Sequence, residues 1–147
     1  MRSGNEDKIL VGSRITVVRS DMDDDARRAA GNARRREVLG NAYVDAAIAR
    51  TSDLTADLQD LITRYAWGEI WNRPGLDIRT RRVLVLGTLL ALGRWEEFRL
   101  HAAAALSEGG FSMDDLKEIA LQQAVYCGVP AARTAFEMLQ ALDGERK

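Results

Sequence analysis

The single histidine of the chain, His101, is the side chain best suited to proton transfer near neutral pH. A helical wheel of residues 94–108 places it beside the apolar stripe, on one flank with Arg94, Glu97 and Glu108. Glu97 lies one helical turn away, so its carboxylate can favour the imidazolium and raise the pKa of His101. That would suit a proton donor, but the same spacing is more often that of a structural surface pair, so both interpretations stay open.

A second candidate group lies in residues 65–71, where a carboxylate stands between two tryptophans. Trp67 and Trp71 are one turn apart, and Glu69 lies two residues from each. An aromatic pair belongs to a core more often than to a site. A carboxylate buried beside it would retain a proton, however, and could donate it to a substrate. The segment therefore predicts a core pair or an apolar wall with Glu69 as a proton carrier.

Arginines lie at both ends of the most apolar stretch of the chain, residues 83–92. Arg81 and Arg82 precede this stretch, and Arg94 follows it. The guanidinium binds carboxylates through two parallel hydrogen bonds, which makes these residues candidates for holding an acidic substrate. A solvated first helical turn is the alternative for each of them.

The elements that position these residues are predicted to be helices, because apolar residues recur at helical spacing and β-branched residues are few. We expect an all-α protein, a bundle of six to seven helices, over residues 22–147, with residues 1–21 as a flexible or docking arm. The expected helices are 22–39, about 55–71, one capped by Asp77 that carries the apolar stretch, 94–108, one capped by Ser112 that reaches Cys127, and about 131–142. The helix with the apolar stretch should be central and buried.

The helix at 94–108 also has a possible contact face for a second subunit. Residues 102–105 are all alanine, and Leu100 lies opposite the core stripe. Small side chains permit close helix approach, so the pattern favours self-association. The alternative is helix propensity alone, since alanine is the best helix former.

Composition excludes several classes of function. A net charge of −1 gives no overall attraction to nucleic acid or to anionic membranes. Cys127 is the only cysteine, so no intrachain disulfide can form, and secretion loses support. Neither a phosphate-binding glycine loop nor clustered metal ligands occur, and no apolar run is long enough to span a bilayer. We therefore expect a cytoplasmic protein that binds no metal, nucleic acid or membrane.

Three segments resemble the carboxymuconolactone decarboxylase family: residues 61–81, with Trp-Gly-Glu-Ile-Trp-Asn-Arg-Pro-Gly-Leu inside, residues 91–101, and residues 124–130. The resemblance extends over roughly residues 22–142. It implies the all-α fold shared with alkylhydroperoxidase-D-like proteins, usually assembled as homotrimers or homohexamers. The peroxidase branch carries Cys-x-x-Cys-x-x-x-His, and its cysteine positions here hold Arg94 and Glu97, so thiol redox chemistry is excluded.

The same resemblance predicts a pocket. The peroxidase branch places a glutamate twelve residues before its first cysteine, and that position here is Arg82. If the folds match, Arg82, Arg94, Glu97 and His101 line one pocket.

The resemblance also implies a reaction: cofactor-free removal of CO2 from 4-carboxymuconolactone, a dicarboxylate lactone, on the protocatechuate branch of aromatic degradation. Arg82, with Arg73 or Arg81, would hold the carboxylate that stays. His101 would protonate the ring carbon, with Glu69 as the alternative donor. Trp67 and Trp71 would form an apolar wall around the carboxylate that leaves.

Two positions depart from the family pattern. Ala103 stands where an arginine is usual, and Arg133 stands where an asparagine is usual. Alternative interpretations are therefore a family member acting on another lactone or oxo-acid, or a non-catalytic oligomeric helical protein.

Overall fold

Seven α-helices make up most of residues 22–147, which are the residues described by the structure, a computed structural model. They are α1 Asp24–Leu39, α2 Asn41–Ala49, α3 Ala56–Leu61, α4 Ile78–Ala91, α5 Trp95–Ser107, α6 Met113–Cys127 and α7 Val129–Glu145. No strand occurs within these residues, so the predicted all-α bundle of six to seven helices is confirmed. The arm proposed for residues 1–21 lies outside the described residues.

Helix ends follow capping residues that the sequence supplies. Asp23 accepts a hydrogen bond from the Ala26 backbone at the start of α1, and Asp77 accepts one from Thr80 at the start of α4. Ser112 and Asp115 form a reciprocal capping box at the start of α6, as predicted.

The predicted helix at about 55–71 is three elements instead of one. After α3, residues Ile62–Trp67 form a π-helix, and residues Ile70–Asn72 form a short 3-10 helix. The backbone N–H of Gly68 donates to the Thr63 carbonyl at 2.9 Å, a bond one residue longer than in an α-helix. Here α1 passes so close that a Cβ on Gly31 would overlap the Thr63 carbonyl oxygen. The tight crossing of α1 holds this segment, and with it both tryptophans.

The apolar core consists of two clusters with α5 between them. The larger cluster joins α4, α5, α6 and α7 through side chains such as Leu86, Leu90 and Phe98. The smaller cluster packs α1, α2 and the π-helix against α5 and consists of Val38, Leu39, Val44, Trp67 and Ala104. Helix α5 is therefore supported on two sides, which fixes the direction of the side chains between its two apolar faces.

One expectation about an apolar face is wrong. Helix α4 is not buried on all sides, because Val83 is 39% and Leu84 54% exposed. Leu100 on the second apolar face of α5 packs in part against the smaller cluster of the same chain, and a subunit contact at this face stays a prediction. Sequence periodicity identified both faces as apolar but could not tell which neighbour covers each one.

None of the helices within residues 22–147 has the combination of length and apolar character that crossing a membrane requires.

Candidate active site

Arg82 lies in the first turns of α4 and is only 2% exposed. Its Nη2 donates to the Glu37 carbonyl oxygen at 3.4 Å, whereas Nε and Nη1 are buried without a hydrogen-bond partner in the described part of the chain. Burial lowers the pKa of Arg82, and the carboxylates of Glu108 and Glu37 act in the opposite direction. A buried guanidinium with two unused donors is a strong site for an anion.

Gly109, just after α5, lies directly against this guanidinium. A Cβ at position 109 would stand 2.8 Å from Arg82 Nε and 3.0 Å from Arg82 Cζ. Only a glycine leaves the arginine where it is.

His101 lies on α5, close enough to Arg82 for the charge of the guanidinium to act on it. Its Nδ1 is buried and has no hydrogen-bond partner among residues 22–147. Burial and then the nearby charge of Arg82 lower the pKa of His101 to about 4, and Glu97 offsets only part of this effect. His101 is therefore a neutral imidazole at neutral pH.

Glu97 does act to raise the pKa of His101, as expected, but burial and Arg82 outweigh it, so the expected net rise is wrong. Glu97 is exposed, and its carboxylate forms no hydrogen bond or ion pair with His101 in the described chain. Arg82 lies on another helix, α4, so the spacing of residues along α5 cannot reveal its influence. Of the pocket predicted to hold Arg82, Arg94, Glu97 and His101, the structure brings Arg82 and His101 together. Glu97 acts on His101 from the rim.

Arg94 is exposed at the N-terminus of α5, and its side chain has no hydrogen bond or ion pair with any described residue. Arg81 donates from Nη2 to the Arg73 carbonyl oxygen at 2.9 Å, while its Nε is buried without a partner inside residues 22–147. Arg73 itself is exposed in the loop before α4. These arginines lie around the start of α4 and α5, and Arg82 is the one that is buried.

Trp67 and Trp71 stack with ring centroids 5.0 Å apart and planes inclined by 23°. Trp67 is buried in the smaller core cluster beside Ala104 of α5. The pair is therefore partly core, and it also supports the helix that carries His101. Both interpretations of these tryptophans remain compatible with their position.

Glu69 is not buried, although its interpretation as a proton carrier depends on burial. Its carboxylate is 36% exposed and pairs with Arg27 of α1, with Oε2 at 3.4 Å from Nε. Glu69 lies between the π-helix and the 3-10 helix, and its side chain reaches α1.

A groove of about 320 Å³ opens between the α1–α2 corner and α5. It is lined by Leu39, Gly40, Asn41, Ala42, Tyr43, Leu100, Ala103, Ala104, Ser107 and Glu108. Ala103, one of the two departures from the family pattern, thus faces open space. The other departure, Arg133, lies on the exposed surface of α7 and pairs with Glu137.

Glu108 is the residue whose importance sequence reasoning missed. The helical wheel put it on the flank of His101, but only the fold shows that it is near Arg82 and lines the groove. For metals, the described residues contain no group of three or more His, Cys, Asp or Glu side chains arranged to hold an ion.

A helical bundle in which a buried arginine lies near a neutral histidine beside a groove has the features of an enzyme for small acidic substrates. The chain belongs to the carboxymuconolactone decarboxylase family, whose sequence profile matches residues 56–141. It is 40% identical over 119 residues to a 4-carboxymuconolactone decarboxylase of Acinetobacter baylyi, covering 81% of this chain and 88% of the relative. It is also 39% identical over 106 residues to a nitrosuccinic acid decarboxylase of Metarhizium robertsii, covering 72% of this chain and 73% of that protein.

Proposed function

We propose that this protein decarboxylates 4-carboxymuconolactone to the enol-lactone of 4-oxoadipate without a cofactor. The observation that carries the proposal is the pair of unpartnered, buried donors on Arg82 beside the neutral imidazole of His101. The similarity to a 4-carboxymuconolactone decarboxylase over most of both chains supports this choice of substrate.

Binding begins at Arg82. The carboxylate that stays on the substrate accepts hydrogen bonds from Nε and Nη1, which satisfies two buried donors at once. Because the site is dry, this charge-assisted pair is stronger than it would be in water. Arg81 and Arg73, near the start of α4, are the candidates for assisting Arg82.

Bond cleavage needs an electron sink, and the substrate contains one. The bond between the ring carbon and the leaving carboxylate breaks, and its electron pair moves through the ring alkene to the lactone carbonyl oxygen. The neutral imidazole of His101 can donate a hydrogen bond to that oxygen as negative charge develops. No pyridoxal, thiamine or metal is needed for this electron flow.

Protonation of the ring carbon then completes the reaction. The substrate carboxylate offsets the charge of Arg82, which is one of the two causes of the low pKa of His101. Substrate binding therefore raises that pKa and lets His101 take up a proton, which it returns to the ring carbon. Glu69 is the weaker candidate donor because it is partly exposed and paired with Arg27.

A second candidate substrate is nitrosuccinic acid or a related acid. It is favoured by the similarity to the Metarhizium robertsii enzyme and by Ala103, which leaves part of the groove open. A nitro group can accept the electron pair as the lactone carbonyl does, so the same arginine and histidine would serve.

The test is an assay of purified protein with 4-carboxymuconolactone, and in parallel with nitrosuccinic acid, in buffer with a chelator and no added cofactor. We expect loss of the ultraviolet absorbance of the lactone with release of one CO2 per molecule consumed. Turnover of nitrosuccinic acid alone would favour the second substrate. Turnover of neither acid by folded protein would contradict the proposal and favour a non-catalytic helical protein.

We further infer that the protein acts in the cytoplasm as a homotrimer or homohexamer. Support for self-association comes from exposed apolar side chains at helical spacing along α3 and its flanks, namely Leu54, Leu58, Leu61 and Tyr65, of which Leu54 is 93% exposed. Light scattering coupled to size-exclusion chromatography would give the number of subunits, and a monomeric mass would contradict the inference.

A further inference from the structure

We propose that the groove beside α5 receives the carboxylate that leaves as CO2, and that Glu108 destabilises this carboxylate before the bond breaks. The inference rests on the proposed function and assigns the part of the reaction that Arg82 and His101 do not explain. Arg82 binds the carboxylate that stays on the substrate. Decarboxylation is also favoured by a site where the other carboxylate is bound unfavourably, so that its loss as CO2 relieves the repulsion.

The first observation is that Glu108 occupies a position that costs stability. It is the C-terminal cap of α5, where the helix end carries partial negative charge, so a carboxylate there is repelled. Its side chain forms no hydrogen bond or ion pair with any other residue in the range 22–147. Glu108 is exposed, so its carboxylate is accessible to a ligand in the groove that it lines.

The second observation is the make-up of the groove. Leu39, Leu100, Ala103 and Ala104 form an apolar wall, and Glu108 is the only charged side chain among the residues that line it. No lysine or arginine of the lining would hold a carboxylate there. A carboxylate that enters this open groove therefore meets an apolar wall and a single negative charge.

The third observation is that Glu108 belongs to both the groove and the arginine site. Its carboxylate is close enough to Arg82 to raise the pKa of the guanidinium, although no hydrogen bond joins them. On the other side it lies against the α1–α2 corner, where a Cβ on Gly40 would be 3.0 Å from Oε1. Gly40 has a φ of +85°, which favours glycine and leaves this space free.

This arrangement gives the reaction a direction. With one substrate carboxylate on Arg82, the other lies in the groove and is repelled by Glu108. When the carbon–carbon bond breaks, the electron pair moves through the ring to the lactone carbonyl oxygen near His101, and neutral CO2 remains in the groove. The repulsion is present in the bound substrate and largely lost in the transition state, so it lowers the barrier.

The experiment compares the Glu108→Gln variant with wild type using 4-carboxymuconolactone at pH 7. Glutamine keeps the size and the hydrogen-bonding groups of the side chain and removes only its charge. We expect kcat to fall about tenfold and KM to fall about threefold, since loss of ground-state destabilisation lowers both. The control is Glu96→Gln, which removes an exposed charge from the first turn of the same helix, outside the groove, and should leave both constants near wild type.

A purely structural role for Glu108 predicts a different result, namely a lower melting temperature with a raised or unchanged KM, and this would overturn the inference. An unchanged kcat would overturn it as well. If wild-type protein does not consume the lactone, the proposed function fails and the inference fails with it. If wild type is active but Glu108→Gln equals Glu96→Gln, only the inference fails.

Discussion

Arg82 of α4 lies near enough to His101 of α5 to lower its pKa, and two nitrogens of Arg82 and one of His101 are buried without a hydrogen-bond partner among residues 22–147. A core that served stability alone would pair these atoms, because each unsatisfied buried donor or acceptor costs about 1–3 kcal/mol. The arrangement is that of a site whose partners arrive with the substrate. It couples the two residues, since burial and then the charge of Arg82 lower the pKa of His101.

Replacing Arg82 should separate stability from activity. In Arg82→Met, an apolar side chain of similar length takes the place of a buried cation, so the free energy of unfolding should be no lower than that of wild type. The substrate would lose its charge-assisted hydrogen bonds, and kcat/KM should fall by about 100-fold or more. Urea denaturation and steady-state kinetics measure the two effects. A marked loss of stability with activity retained would show that Arg82 is structural.

The pKa of His101 makes stability depend on pH in a defined window. In the unfolded chain His101 binds a proton below its ordinary pKa of 6.5, whereas in the folded protein it stays neutral down to about 4. Stability from this residue is therefore fully present above pH 6.5 and is lost as the pH falls towards 4, by up to about 3 kcal/mol. Because His101 is the only histidine, urea denaturation of wild type and His101→Gln at several pH values isolates the effect. Parallel curves for the two proteins would contradict a lowered pKa.

The Gly109→Ala substitution should displace the guanidinium of Arg82 while Arg82 itself is left in the chain. The Cβ of Gly109→Ala would lie 2.8 Å from Arg82 Nε and 2.9 Å from the Ala105 carbonyl oxygen, so the guanidinium must move. We expect kcat/KM to fall about tenfold and stability to fall by about 1–3 kcal/mol. The matched control is Gly75→Ala, because no atom lies within 4 Å of a Cβ at that position. Equal activity of Gly109→Ala and Gly75→Ala would show that the close contact of Gly109 with Arg82 does not matter for catalysis.

Removing the charge of Glu69 should have little effect on turnover. Its carboxylate is partly exposed and paired with Arg27, so Glu69→Gln should lose at most about 1 kcal/mol of stability. Its kcat should stay within about twofold of wild type, because the variant keeps every contact of Arg82 and His101. A rate lowered by about 100-fold would instead assign the role of proton donor to Glu69.

Much of the fold follows from local signals in the sequence. Asp77 and Ser112 begin helices as their capping chemistry predicts, and Gly40 ends α1 with a φ of +85°. These signals act within a few residues of the chain, which is why they could be recognised without the structure. The π-helix at Ile62–Trp67 could not be recognised in this way, because it depends on how closely α1 crosses it.

Of the residues expected to line one pocket, the structure brings Arg82 and His101 together, but the electrostatics of this pair could not be predicted. Resemblance to a family placed Arg82 near His101, while the spacing along α5 suggested that Glu97 controls the histidine. The balance between these two charges depends on burial and on the packing of α4 against α5, which no pattern within one helix contains. For the same reason the sequence did not predict the electrostatic interaction of Glu108 with Arg82, because the two residues belong to different helices.

The most direct test of the account is the initial rate of CO2 release from 4-carboxymuconolactone at pH 7 by wild type and by His101→Gln. Both proteins should show the same helical circular dichroism spectrum before the rates are compared. The account predicts turnover by wild type and a rate at least about 100-fold lower for His101→Gln, because the variant can neither take up nor return the proton. A folded His101→Gln protein that releases CO2 at the wild-type rate would contradict it.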